Sequence, residues 1–254
     1  MSGTFAELDL DVRYETERND ILRDFYRPVL RRSVQYDRLA SYFSSVSLAA
    51  IGEGLIEFVE NGGTIRMVIN TQVDAVDLDV LRGERETPTE HLSAILDPAR
   101  AADDVQRVRW EVLAWLLAND QLEIRVIAPT TGGGIFHPKT AVFRDKDGEV
   151  ITTIGSNNES LGALKRNYEI FSVHSSITDS RRHWQSHIDS FDELWTGERS
   201  QWEVYDLPEA IEAKILEVAP PDKQRLMDDA AEHLPEYLST PTDPTLTPLV
   251  TAGR

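Results

Sequence analysis

Five side chains in the second half of the chain have the types and spacing to handle a phosphate ester. His137 and Lys139 stand two residues apart at the start of a β-forming run, "FHPKTAVFRD", and that spacing on a strand sends both side chains to one face. Ser156 and Asn158 repeat the spacing in "GSNN", directly after a second β-forming run, "EVITTI". Between the runs lies "DKDG", whose Asp-Gly pair is a strong hairpin-turn signal. The hairpin can bring both pairs to one sheet edge, and Glu169, on the following strand, can reach the same place. An imidazole, an ammonium, a hydroxyl, an amide and a carboxylate supply a nucleophile and donors for the non-bridging oxygens of a phosphodiester, with no metal required. Taken alone, His-x-Lys fits an exposed pair on an edge strand better than a site. The G-S-x-N and the Glu downstream turn the reading toward chemistry.

Other chemistries find less support. The chain has no Cys, which excludes disulfides, thiolate metal sites and a Cys nucleophile. Its histidines are His91, His137, His174, His183, His187 and His233. His183 and His187 are an i,i+4 pair on one helix, but no Glu follows His183 in the H-E-x-x-H manner, and a solvated helix face is the expected reading. "GGG" before Ile135 is neither G-x-G-x-x-G nor followed by G-K-[ST], so it reads as a loop and not a phosphate cradle. No metal and no cofactor is expected.

The elements that must position these residues follow an α/β pattern. "YDRLASYFS" (36–44) suggests a strand, "SLAAIGEGLIEFVENGG" (47–63) a helix closed by a Gly pair, and "TIRMVIN" (64–70) a buried strand. A strand–helix–strand unit of this kind is the hallmark of α/β folds. Residues 103–120 form the clearest amphipathic helix, with Val108, Val112, Trp115 and Leu116 on one face, and "LEIRVIA" (122–128) a further strand. The hairpin strands fall at 135–144 and 149–154, a short helical turn at 159–165, a strand at 167–174 and a helix at 179–195. Residues 206–237 suggest two more acidic helices. The expected organisation is a flexible lead over 1–19, a single α/β domain over 20–200, a helical extension over 201–238 and a disordered Pro/Thr-rich tail over 239–254.

The length suits one large domain, and 41% hydrophobic residues suit a globular one. No apolar run is long enough to span a membrane, and the acidic first twenty residues lack the apolar stretch of a signal peptide, so a cytoplasmic protein with no membrane partner is expected. The net charge of −18 argues against polyanionic partners. Yet only Lys139, Lys146, Lys165, Lys214 and Lys223 among the 26 basic residues are Lys, and abundant acid with scarce Lys also fits the surface of a protein from a high-salt, halophilic cytoplasm.

The pattern His137-Pro138-Lys139, Gly155-Ser156-Asn157-Asn158 and Asn167-Tyr168-Glu169 resembles the phospholipase D superfamily motif, most closely its single-motif nuclease branch and helicase-associated members. The stretch from Tyr36 to Asn70 looks like the opening βαβ of phospholipase D-like domains that accompany helicases in restriction and phage-defence systems. The resemblance spans roughly 20–196. It implies a mixed β-sheet flanked by helices on both faces, with a short C-terminal helical extension. It also implies that His137 attacks phosphorus, that Lys139 and Asn158 hold non-bridging oxygens with Ser156 bonding nearby, and that Glu169 bonds the other imidazole nitrogen. A second His must protonate the leaving oxygen. Only one H-x-K is present, so the superfamily logic expects a homodimer with the site at its two-fold interface, or else a heteromeric partner. The Asp that family members carry five residues after the Lys is replaced by Arg144. Asp145 comes one later, on the other face of a strand, and is expected to make the turn.

The resemblance implies a metal-independent phosphodiesterase, a nuclease acting on DNA more than on RNA and working with a helicase or other defence-system subunit. A phospholipase or phosphatidyltransferase and a non-catalytic DNA-binding or assembly subunit are the competing classes. Lys165, Arg166 and Arg144 are the candidate substrate contacts, since a polyanion needs local positive charge even on an acidic protein.

Overall fold

A computed structural model describes residues 3–40, 57–70, 81, 97–101, 104–130, 136–156 and 168–239. Among the described residues, eight strands form one mixed sheet: β1 (Arg13–Glu15), β2 (Ser33–Ala40), β3 (Thr64–Ile69), β4 (Leu122–Pro129), β5 (Lys139–Asp145), β6 (Val150–Gly155), β7 (Ile170–Ser175) and β8 (Trp202–Asp206). Their order is β1-β7-β6-β5-β2-β3-β4-β8. β2, β3 and β4 run parallel, while β5 joins β2 antiparallel and leads into the antiparallel half. The parallel strands are covered on both faces, which is why "TIRMVI" reads as a near-continuous apolar run without alternation.

Helices cover both faces. One face carries Tyr36, Met67, Ile124, Phe143 and Phe171 and forms the main core. Against it lie α1 (Arg27–Leu30), α2 (Asp104–Ala118) and α4 (Glu209–Leu216), with α5 (Lys223–Ser239) packing on α2. The other face carries Leu39, Val68, Ile127, Val142 and Val150, and α3 (Arg181–Trp195) covers it with Ile188, Phe191, Leu194 and Trp195. Under α3, the fully buried Asp37 accepts from Arg66 Nε and Nη2 at 2.8 Å each and pairs with Arg144 Nη1 at 2.5 Å. Arg66 also reaches Asp192 of α3 at 3.2 Å.

Pro28 leaves a local mark. It has no N–H to give to the Asp24 carbonyl, and the segment before it, Leu22–Tyr26, winds as one wide π-helical turn. The Tyr14 hydroxyl lies within 3.5 Å of that carbonyl.

Two boundaries differ from the sequence reading. The lead over 1–19 docks onto the domain: Phe5 and Tyr14 are buried, and β1 extends the sheet along β7. Three residues are too few to show a strand period, so the lead's pattern is visible only beside its partner. Likewise β8, with only five residues, pairs antiparallel with β4, so the sheet itself extends past residue 200, and α4 and α5 close its main core. The helical turn expected at 159–165 and the tail after Ser239 lie outside the described residues.

Candidate active site

The site is assembled where β5, β6 and β7 present their ends to one another. His137 and Pro138 lead into β5. Phe136 anchors them: its side chain is buried against Trp202, ring centroids 5.3 Å apart, and its carbonyl accepts from Asn70 Nδ2 at 3.3 Å. This buried anchor holds the next residue, His137, in an exposed position. Lys139 opens β5 opposite Ala40 of β2, on the main-core face, and is buried.

Lys139 Nζ stands 3.1 Å from each nitrogen of the His137 imidazole and 3.4 Å from the His137 carbonyl oxygen. A neutral imidazole has one accepting nitrogen, so the ammonium donates to at most one of the two. Burial holds the Lys139 amine below the ordinary lysine range. The charge of buried Arg38 pushes it the same way, and the Glu169 carboxylate opposes both. The result is a desolvated cation beside an exposed imidazole.

Ser156 and Glu169 come from the strand ends next to them. Ser156 Oγ donates to Glu169 Oε2 at 2.6 Å and accepts from Ile170 N at 3.0 Å. Gly155 makes that approach possible, because a Cβ there would fall inside van der Waals contact of the Ile170 carbonyl oxygen and 2.5 Å from Phe171 Cα. Glu169 is buried and braced by the docked lead: its N–H donates to Thr16 Oγ1 at 3.1 Å, and Thr16 N–H donates to its carbonyl at 3.1 Å. Next to it, the Tyr168 hydroxyl donates to Glu15 at 3.0 Å. That bond, together with Arg13 and Arg18, holds the Glu15 carboxyl below its ordinary range. The resemblance gives Glu169 to the imidazole of His137. Here the carboxylate takes the Ser156 hydroxyl, whose single proton is thereby committed.

The other expected residues fall differently. Arg144 is five residues from Lys139, so it lies on the opposite face of β5, under α3, where it pairs with Asp37. Asp145 is buried at the hairpin turn. Its Oδ1 accepts from Asp147 N at 3.0 Å and Glu149 N at 2.9 Å, and its Oδ2 accepts from Phe5 N at 2.8 Å. Asn158, Lys165 and Arg166 lie outside the described residues.

The fold adds residues that the sequence reading did not single out. An open depression of about 240 Å³ beside His137 is lined by Pro138, Ser190, Leu194, Arg199 and Trp202. Arg199 pairs with Glu193 at 2.6 Å. Its only sequence signal is a basic residue shortly after an amphipathic helix, which says nothing about nearness to His137. Arg38, beside Lys139, is visible in the sequence only as a charge within a strand.

A family model described as "Cardiolipin synthase, PLD-like domain" matches residues 26–195. No curated protein sequence matches the chain. Among solved structures, phosphatidylserine synthase from Haemophilus influenzae Rd KW20 is similar at 11% identity and a TM-score of 0.42, over 87% of this chain and 46% of that one. NucT from Helicobacter pylori is similar at 12% identity and a TM-score of 0.40, over 71% of this chain and 94% of that one. Polyphosphate kinase from Porphyromonas gingivalis is similar at 9% identity and a TM-score of 0.43, over 91% of this chain and 29% of that one. The chain therefore spans about half the length of the synthase and under a third of the kinase. No described helix is long and apolar enough to cross a membrane.

Proposed function

The chain belongs to the cardiolipin synthase, PLD-like domain family, and from that premise we propose that it is a metal-independent phosphodiesterase, a nuclease that cleaves DNA through a phosphohistidine intermediate. The observation that carries the reading is the buried Lys139 ammonium held 3.1 Å from the nitrogens of an exposed imidazole. A cation kept out of water interacts more strongly with a phosphate oxygen than a solvated one does, and it cannot drift from the nucleophile it serves.

In the proposed reaction a neutral His137 nitrogen attacks phosphorus. The N–P bond forms as the P–O bond to the leaving strand breaks, and the leaving oxygen takes a proton from a second imidazole. Water then attacks phosphorus, the second imidazole accepts its proton, and the N–P bond breaks to free the phosphate end. Lys139 neutralises a non-bridging oxygen, and Asn158 is the amide expected beside it. Glu169 acts through Ser156, holding the hydroxyl at the rim of the site, so Glu169 is a positioning residue in this arrangement. The second imidazole is His137 of another copy of the chain, in a homodimer whose two-fold axis passes through the site. A helicase or other subunit of a defence or restriction system is the proposed working partner. Lys165 and Arg166 follow the motif closely enough to contact the strand, and Arg199 borders the depression beside His137.

The test is cleavage of linear and supercoiled DNA in EDTA by wild type and His137→Ala. EDTA-resistant cleavage that disappears in the variant is the expected result. Turnover of phosphatidyl substrates in place of DNA would move the activity to lipids. No turnover of either, with DNA binding retained, would make the chain a binding subunit.

A further inference from the structure

His183 and His187 acquire a third imidazole in the fold. His174, on β7, places its ring 5.6 Å from that of His183 and 5.5 Å from that of His187. Half of the chain's six histidines thus converge on the α3 side of the sheet. A carboxylate joins them: Asp179 Oδ2 lies 3.9 Å from His174 Nδ1. One ligand atom from each of His174, Asp179 and His183 lies within 4.8 Å of the other two.

The backbone between these residues is fixed. Ser175 N–H donates to Asp179 Oδ2 at 2.8 Å, Asp179 N–H donates to the Ser175 carbonyl at 2.9 Å, and His183 N–H donates to the Ser180 carbonyl at 3.0 Å. The end of β7, a tight turn and the first turn of α3 therefore form one closed unit, and the two imidazoles need only side-chain rotations to meet at a common point. The ligand atoms must close to roughly 3.3 Å, the edge of a tetrahedron with bonds of about 2.0 Å. Behind them, His187 is held by Thr152 Oγ1 at 2.8 Å from its Nδ1. The positive end of α3 and the neighbouring Arg181 and Arg182 oppose a cation, and the Asp179 carboxylate offsets them.

We propose that His174, Asp179 and His183 form a three-ligand site for a divalent first-row transition metal, with zinc as its representative. Two imidazoles and one carboxylate with an open fourth position are a donor set for such ions, whereas calcium and magnesium take oxygen ligands throughout. The bound ion staples the end of β7 to the first turn of α3, the helix that covers this face of the sheet. His174 lies four residues beyond Ile170, about 13 Å along the strand from the Ser156–Glu169 contact. The metal is therefore separate from the phosphodiesterase site.

The test uses the full chain, stripped with EDTA and dialysed, then titrated with ZnCl₂ by calorimetry and followed in parallel by thermal unfolding. Saturable binding of zinc with a rise in Tm is expected. His183→Ala, which alters an exposed side chain, and Asp179→Asn, which keeps an oxygen for the Ser175 amide, should each weaken binding by about tenfold or more and remove the Tm rise. His137→Ala should bind zinc as wild type does. The proposal fails if wild type shows no saturable binding, if both site variants bind with wild-type affinity, or if only His137→Ala loses the metal. None of these readouts depends on DNA cleavage, so the result stands apart from the fate of the nuclease reading.

Discussion

At the scale of single residues, the site turns on a buried amine. Removing Lys139 from water and placing it near Arg38 both favour the neutral form, so it loses its proton below the ordinary lysine range. If Lys139 receives the phosphate as proposed, that cation disappears from the free protein as pH rises through the lowered value. The alkaline limb of kcat/KM should therefore fall at a pH where an ordinary lysine is still charged, which a pH–rate profile in EDTA will show. The linkage sign follows from the same direction. Between the folded and unfolded values the unfolded chain holds more protons, so stability rises with pH across that window, and the cost of the buried ammonium is fully present below it. Lys139→Met should be at least as stable as wild type at pH 7 in urea unfolding, should lack the alkaline gain, and should cleave at least a hundredfold more slowly, the order of loss when one charge-stabilising donor is removed. The nearness of His137 and Lys139 is what strand parity leads one to expect, although His137 precedes β5 and only Lys139 stands within it. The same parity sends Arg144 to the other face, where Asp37 takes it. The Ser156–Glu169 bond is not legible, since it depends on how closely β6 approaches β7, and only the fold sets that distance.

At the scale of elements, turns and close approaches deliver the site. Asp145 accepts three backbone N–H groups, two from its own turn and one from Phe5, so one carboxylate ties the hairpin to the docked lead. Asp145→Ala leaves those donors unpaired in a buried place and should destabilise the chain by about 3 kcal/mol in urea unfolding. Well below the melting temperature it should leave the kcat of DNA cleavage within about twofold of wild type, whereas loss of a group acting on phosphate would cost a hundredfold or more. Gly155→Ala acts in the opposite sense. The added methyl meets backbone atoms of Ile170 and Phe171, so β6 and β7 must part, at a cost of about 1–3 kcal/mol. Because the parting occurs at Ser156, activity should fall by more than the stability loss accounts for, as activity assays at matched folded fraction will reveal. The long, strongly patterned elements are the ones the sequence exposes: the strand at 122–129, the helix at 104–118 and the hairpin at 139–155 stand within a few residues of their expected places. Short β1 and β8 carry no period of their own and become strands only through β7 and β4.

At the scale of the whole molecule, the chain carries one H-x-K, while the proposed reaction asks for two imidazoles. With a net charge of −18, the surface at large repels a polyanion, so the proposed DNA substrate would have to be met where local cations gather. Two copies meeting across a two-fold axis at His137 would pool the Lys139, Arg199 and Lys165–Arg166 charges of both chains while completing the acid–base pair. The arrangement has a numerical signature. When wild type and His137→Ala chains are mixed and allowed to exchange subunits, only pairs of two wild-type chains hold both imidazoles. Cleavage in EDTA should then fall as the square of the wild-type fraction, to about a quarter in an equal mixture. A linear fall, to about half, would mean that each chain completes its own site and that the second proton donor must be sought within it. A fall to the square with Arg199→Ala in place of His137→Ala would mean that each site needs Arg199 from both chains.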